Sequence, residues 1–289
     1  MNMQKEQKRR VEVVPYDSRW PAMFEAEKDV LASILGDGCI AIHHVGSTSV
    51  PGLAAKPYID IVAVAKARNN AVEILQNAGY TYRGEWNIPL KCGFTKRNGR
   101  NVNLHMFFDE QHPEIELNLL FRDYLRTHTK TCEEYASLKM EILQDESSQE
   151  RVGKLSFPVY TLRKREFIDD VLRKAGFNRL RVLKCLTETE WAKAIEFREK
   201  CFVKSGEAGL PQLEKDDPAQ EHFVLYHGVD IIGYAHISLN PGKDTAAEIR
   251  ILETSEEEAN TWFLKVLTEW IKIHGYDGAH EFTKVHVSL

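Results

Sequence analysis

Apolar and polar positions follow two rhythms along this chain, and each change of rhythm marks an element. Residues 11–14 read as a short strand. Ser18 is placed to cap a helix with Pro21 in its first turn, and Met23, Phe24, Ala26, Val30, Leu31 and Ile34 then recur at helical spacing. Apolar runs predict strands over 39–44 and 58–64, and a helix over 71–78 stops at Gly79. Strand patterns over 90–96 and 101–108 flank Arg97-Asn-Gly-Arg100, a hairpin signature. From Glu114 onward, Leu119, Leu120, Tyr124, Tyr135, Leu138 and Ile142 predict one or two helices, and 154–175 reads as a charged closing helix.

The pattern breaks at Gly176-Phe-Asn-Arg179 and then restarts. A strand over 180–184 leads to a helix over 188–203 and a loop rich in Gly, Glu and Asp over 204–220. Strands over 222–226 and 231–239 enclose the turn His227-Gly-Val-Asp230. A strand over 246–252, a helix over 256–274 and a strand near 282–287 follow. This order predicts two α/β domains, 1–177 and 178–289, and the length of 289 residues agrees with two.

Composition narrows the function classes. Hydrophobic content of 43% and charged content of 28% are those of a water-soluble globular chain. A net charge of -5 does not indicate broad nucleic-acid binding, which needs a positive surface. The five cysteines form no Cys-x-x-Cys pair, so neither a disulfide framework nor a zinc knuckle is expected. No stretch has the apolar length of a membrane span, and the polar, basic first ten residues do not read as a signal peptide. A cytoplasmic protein with no membrane partner is the expectation, and a homodimer stays open.

The chemistry concentrates in His44-Val-Gly-Ser-Thr-Ser-Val-Pro-Gly-Leu-Ala-Ala-Lys-Pro-Tyr-Ile-Asp60. Gly46 can adopt backbone angles closed to other residues, and Ser47, Thr48 and Ser49 add hydroxyls, a combination suited to a phosphate. Asp60 lies in an apolar run, where a carboxylate needs a cation or strong donors. The same residues also serve as ordinary turn material, with Asp60 capping a neighbouring turn. Lys56 can reach a phosphate or stay solvated. Arg122 can aim a fork into the site or pair with Asp123, and His44 and His105 are either ligands or core histidines. Lys91, Lys96, Arg97 and Arg100 form a basic hairpin that either steers an anion or is a wet edge.

Residues 11–175 resemble the GrpB family, a group of small bacterial proteins with a nucleotidyltransferase-like fold. The pieces are Val14-Pro-Tyr-Asp-Ser-Arg-Trp20, the segment from His44 to Ile61, Asn103-Leu-His105, Leu120-Phe-Arg-Asp-Tyr-Leu-Arg126 and Tyr135-Ala-Ser-Leu-Lys139. The resemblance implies a mixed sheet with helices, Gly46 and Ser47 as the phosphate loop, Asp60 as the first metal-holding acid, and Mg²⁺ as cofactor. Ser47 and Asp60 are then the catalytic candidates. Gly46, Ser47, Thr48, Lys56, His105 and Arg122 are the substrate-binding candidates, for a nucleotide or another phosphorylated small molecule. Two departures stand out. The superfamily's Asp-x-Asp has Val62 at its second place, and His105 stands where a third acid is expected. Magnesium prefers hard oxygen ligands, which leaves three options: one weakly held ion, recruitment of Glu114 and Glu116, or binding without turnover.

Residues 180–287 resemble the GNAT acetyltransferase family through Phe197-Arg-Glu-Lys-Cys-Phe-Val203, His222-Phe-Val-Leu-Tyr226, Ile232-Gly-Tyr-Ala-His-Ile237 and Ala246-Ala-Glu-Ile-Arg-Ile-Leu252. An active member has a glycine-rich pyrophosphate turn after its fourth strand. Here Glu253-Thr-Ser-Glu-Glu-Glu-Ala-Asn260 puts negative charge there and argues against acetyl-coenzyme A. The expected functions are, first, a nucleotide- or phosphate-binding protein of nucleotidyltransferase type with an unidentified acceptor. The alternatives are an N-acyltransferase using acetyl-coenzyme A and a non-catalytic two-domain binding protein.

Overall fold

The computed structural model describes residues 10–68, 70–97, 101–152, 157–205, 217, 219–239, 247–253, 257–275 and 280–286. The Asn98-Gly99 turn, most of the Gly- and acid-rich 204–220 loop and the Thr254-Ser-Glu256 stretch lie outside them.

In chain order the first half contains α1 (Trp20–Leu35), β1 (Cys39–Val45), β2 (Ile59–Ala65), α2 (Ala71–Asn77), β3 (Thr81–Gly84), β4 (Cys92–Lys96), β5 (Val102–Phe107), α3 (Pro113–Thr127) and α4 (Thr129–Gln144). A two-residue hairpin of β6 (Arg151–Val152) and β7 (Phe157–Pro158), a short α5 (Val159–Leu162) and α6 (Arg165–Lys174) complete it. The second half contains β8 (Leu180–Lys184), α7 (Glu188–Ser205), β9 (Gln220–His227), β10 (Asp230–Leu239), β11 (Ala247–Glu253), α8 (Glu257–Ile273) and β12 (His280–His286).

The first sheet has the order β1-β2-β5-β4-β3 and is mixed: β2 and β5 run parallel, the other pairs antiparallel. Alternation along β2 and β5 divides its faces. Ile59, Ile61, Ala63, Val102, Leu104 and Met106 pack with Trp20, Phe24 and Leu31 of α1 and Leu75 of α2. Val62, Val64 and Phe107 pack with Ile115 of α3 on the other face. Asp60 and Asn103 are register partners at one end of that second face. The second sheet, β12-β11-β10-β9-β8, is antiparallel except for the parallel pair β11 and β12.

Three sequence expectations need correction, and one strand was not expected at all. Residues 11–14 form no strand, because only Val14 bridges Ala55, while the Gln149 side chain bonds both backbone groups of Val11 in place of a partner strand. Ser18 does not cap α1; the Asp17 carboxylate accepts the Arg19 N–H at 2.9 Å and holds its guanidinium at 2.7 Å. The closing helix is broken, since Pro158 lacks a backbone donor and biases the residue before it to extended backbone. Strand β3 has no apolar alternation in its sequence and is defined by pairing with β4.

The halves meet over a broad mixed surface. Leu90 packs with the Phe223, Phe263 and Trp270 cluster of the second sheet, and Val229 packs with Leu172 and Phe177. Trp270 Nε1 donates to Glu85 Oε2 at 2.8 Å, and Asn87 Nδ2 donates to Glu190 Oε1 at 2.9 Å.

Candidate functional site

Between β1 and β2 the chain makes a single 3-10 turn, Ser47–Ser49, entered through Gly46 at φ 70° and ψ -175°. That conformation is open essentially to glycine alone. A methyl group at Gly46 would stand 2.5 Å from Asp60 Oδ2, so the loop backbone lies directly against the carboxylate. The Thr48 hydroxyl donates to the Tyr58 carbonyl at 3.0 Å, so the His44 Nε2–H must donate to Thr48 Oγ1 at 3.1 Å. His44 thereby carries a proton on Nε2, and burial first and then Arg126 and Arg122 lower its pKa to about 4, which keeps the ring neutral near pH 7. Ser49 Oγ donates to the Gly46 carbonyl at 2.6 Å, and Arg126 holds the Ser49 carbonyl at 2.7 Å. Thr48 and Ser49 are buried and shape the turn; Gly46 and Ser47 remain partly exposed.

Asp60 Oδ1 accepts from Asn103 Nδ2 at 2.7 Å, and Asn103 Oδ1 in turn accepts from Arg97 at 2.7 Å. Burial pushes the Asp60 carboxyl up, while Asn103, Lys56, Lys164 and Arg97 pull it down. Lys56, from the segment before β2, and Lys164, just before α6, each place an ammonium 4.8 Å from the Tyr160 ring centroid. Neither has an ion-pair partner within 4.0 Å among the described residues. Desolvation lowers each to about 8, against the pull of Asp60. A third ammonium, Lys139 of α4, is 1% exposed. It donates to the Ala54 carbonyl and lies 3.4 Å from Ser47 Oγ. Burial pushes the hydroxyl of Tyr135, on the same helix, up, and Ser47 lies near enough to pull it down.

The structure therefore brings together Gly46, Ser47, Lys56 and Asp60 from the sequence candidates. Thr48 lies beneath the turn. Arg122 bonds Asp123 through two nitrogens, at 2.7 and 2.9 Å, and the His44 carbonyl through a third at 3.0 Å. His105 sits against Trp86, and burial and then Lys91 lower it to about 3. Glu114 and Glu116 face Arg181 and Arg179 of the second half at 3.4 and 2.8 Å, away from Asp60. Of the basic hairpin, Lys96 pairs with the buried Glu27 at 2.8 Å, Lys91 is buried over Trp86, and Arg97 reaches the Asp60 cluster; Arg100 lies outside the described residues. Sequence reasoning missed Asn103, Tyr135, Lys139, Tyr160 and Lys164 as site residues. The i, i+4 spacing of Tyr135 and Lys139 within a family-like piece was the available signal; Lys164 carried none.

A cavity of about 520 Å³ opens elsewhere, lined by Ile40, Lys66, Phe108, Asp109, Glu110 and Gln111. Among the described residues no helix is long and apolar enough to cross a membrane.

Comparison with known proteins finds relatives of the first half. UPF0157 protein YqkA of Bacillus subtilis (strain 168) is 42% identical over 139 residues, 47% of this chain and 40% of that protein. The chain thus matches less than half the length of that relative. Glutamate-rich protein GrpB of Alkalihalophilus pseudofirmus is 28% identical over 170 residues, 56% of this chain and 94% of that protein. The crystal structure of conserved protein GrpB from Enterococcus faecalis superposes with a TM-score of 0.49 at 30% identity, covering 57% of this chain and 96% of that one. The family model for GrpB protein matches residues 10–174, more than half of the chain, which therefore belongs to the GrpB family.

Proposed function

We propose that the first half binds a phosphorylated small molecule, a nucleotide in the first instance, at the Gly46–Ser47 turn. The observation that carries this reading is the pair of partly buried ammoniums, Lys56 and Lys164, that have no ion-pair partner among the described residues. Holding two cations out of water beside one carboxylate is costly, and a phosphate would offset that cost. Ser47 supplies a hydroxyl at the mouth of the turn. Gly46 permits backbone approach, and Asp60 fixes the cations through their mutual field.

The donor set does not fit a resident Mg²⁺. Among the described residues no group of three or more His, Cys, Asp or Glu side chains could hold a metal. Asp60 already accepts from Asn103 and sits in the field of Lys56, Lys164 and Arg97, which repels a second cation. The lysines take the charge-neutralising part instead. Nucleotidyl transfer to an acceptor is the activity class the turn and Asp60 suggest, and it is tested after binding.

Calorimetric titration with ATP in EDTA checks the reading. Binding should persist without divalent metal, and Lys56→Ala or Lys164→Ala should each weaken it by about 1.5–3 kcal/mol, roughly 10- to 100-fold. Binding that needs Mg²⁺, or that ignores both substitutions, contradicts it.

For the second half, the antiparallel run β8 to β11 followed by a parallel β12 after α8 supports a GNAT-like module. Glu257 and Glu258 occupy the first turn of α8, where a coenzyme A pyrophosphate would have to sit. We therefore read it as a docking module without acetyl transfer, and acetyl-coenzyme A should leave the melting temperature unchanged. A nucleotide ligand and cysteines without a Cys-x-x-Cys pair fit work in the cytoplasm.

A further inference from the structure

Ser47 does more than face a phosphate. Its hydroxyl lies 3.4 Å from the Lys139 ammonium of α4, with Tyr135 of the same helix close by. Lys139 is 1% exposed, and its nearest polar partners are the Ala54 carbonyl and Ser47 itself, with no carboxylate paired to it among the described residues. The ammonium also lies 4.7 Å from the Tyr135 ring centroid. A serine hydroxyl bonded to a buried lysine that lacks a counter-charge, with a tyrosine orienting the pair, is the arrangement that activates a serine. A contact of 3.4 Å is loose for a hydrogen bond, as such pairs often are before substrate enters.

We propose that Ser47 is a covalent nucleophile, with Lys139 as its general base and Tyr135 as the residue that positions it, acting on a phosphorus centre. The proposal rests on the phosphate-binding reading above and adds a chemical step to it. Ser47 Oγ attacks the phosphorus held by Lys56 and Lys164. The Oγ–P bond forms as the bond from phosphorus to the leaving oxygen breaks. The hydroxyl proton passes to the neutral amine of Lys139, which returns it to the leaving oxygen. Water or an acceptor alcohol then gives its proton to Lys139 and attacks the phosphorus; the Oγ–P bond breaks and Lys139 returns the proton to Ser47 Oγ.

The electrostatics suit this role. Desolvation first, and then Lys164, lower Lys139 to about 7, with Cys132 pulling the other way. Asp60 reaches Tyr135 with its field from β2. A neutral amine is thus available near neutrality, which an ordinary lysine does not offer. A lysine present only to pin the Ala54 carbonyl would have no reason to leave its charge unpaired.

The test uses the full chain and a fluorophosphonate, which phosphonylates activated serines and releases fluoride whatever the natural leaving group. Ser47 should be labelled, as located by peptide mass spectrometry. The rate should climb roughly tenfold per pH unit to about pH 7 and then level. Ser47→Ala should lose the label, Lys139→Met should slow labelling by roughly 10²–10⁴-fold, and Tyr135→Phe should slow it less. ATP should protect. If Lys139→Met fails to fold, the pH profile of the unsubstituted protein decides alone. No label on a protein that still binds ATP overturns the nucleophile and leaves the binding reading intact. A label at Ser47 without pH dependence overturns Lys139 as base. A label that ATP does not block, together with no ATP binding by calorimetry, overturns the phosphorus substrate.

Discussion

Gly46 shows how one backbone position can decide a site. Its φ of 70° and the 2.5 Å clearance to Asp60 Oδ2 exclude any side chain. Gly46→Ala should therefore cost about 1–3 kcal/mol, read as a lowered urea midpoint, and should separate the turn from the carboxylate. An unchanged midpoint would mean the turn is free to move. The lysines give a second prediction, with its sign set by their depressed values. Lys56 and Lys164 titrate at about 8 in the fold against an ordinary 10.5. Between those values the unfolded chain holds protons that the folded chain has released, so the stability of the ligand-free protein rises with pH across this window. Lys139 and Lys91, each lowered to about 7, extend the window downward. A bound phosphate restores the protons. Titration of ATP near pH 8 in buffers of different ionisation heat should show proton uptake, and zero uptake would argue against contact with either lysine. At this scale Gly46, Ser47 and Asp60 were legible because they are neighbours in sequence and carry unusual residue types. Asn103 and Lys164 were not, because they reach Asp60 only through strand pairing and through a helix placed after a broken segment.

Among the elements, those with strong periodicity formed where expected: α1, α2, α4, α7 and α8 among helices, and β1, β2, β5, β9 and β10 among strands. The misses have local causes. Pro158 interrupts a charged stretch that otherwise reads as one helix, and β3 is held by β4 rather than by its own pattern. The acids of α3 were the other misreading. Composition gave no sign that Glu114 would face the second half, where it meets Arg181 at 3.4 Å with both side chains 6–7% exposed. The distance makes an ion pair but the groups are not aligned for a hydrogen bond. Lys91, also buried, feels the same carboxylate. Glu114→Gln strips the counter-charge from the buried Arg181 and should destabilise the protein by about 3–5 kcal/mol, as for other broken buried pairs. Chemical denaturation measures it. A loss below about 1 kcal/mol would show that water already reaches the pair.

For the whole molecule, the break in rhythm near residue 177 separates the residues of the two sheets, yet the way those sheets dock was not visible in the sequence. The docking surface is built largely from the 85–91 segment, which reads as a loop. Its Trp86 and Leu90 have φ of 52° and 68°, values that non-glycine residues keep only where the surroundings impose them. The second half supplies those surroundings. Leu90 enters the core of its sheet, Ile88 packs beside Trp191, and Lys184 N–H bonds the Asn87 carbonyl at 2.9 Å. On the other side Gly228 lies so close to the Phe177 carbonyl that a methyl group would stand 2.8 Å from it. Domains joined this way gain little from separating, because each would expose apolar surface and release a strained segment. Unfolding of the full chain should therefore be a single transition, with tryptophan emission and far-ultraviolet dichroism coincident in urea. A chain ending after Phe177 should melt at lower urea and bind a hydrophobic dye, since Ile88, Leu90 and Phe177 lose their cover. Two separated transitions in the full chain would show instead that the halves are independent and that the 85–91 segment holds its shape unaided.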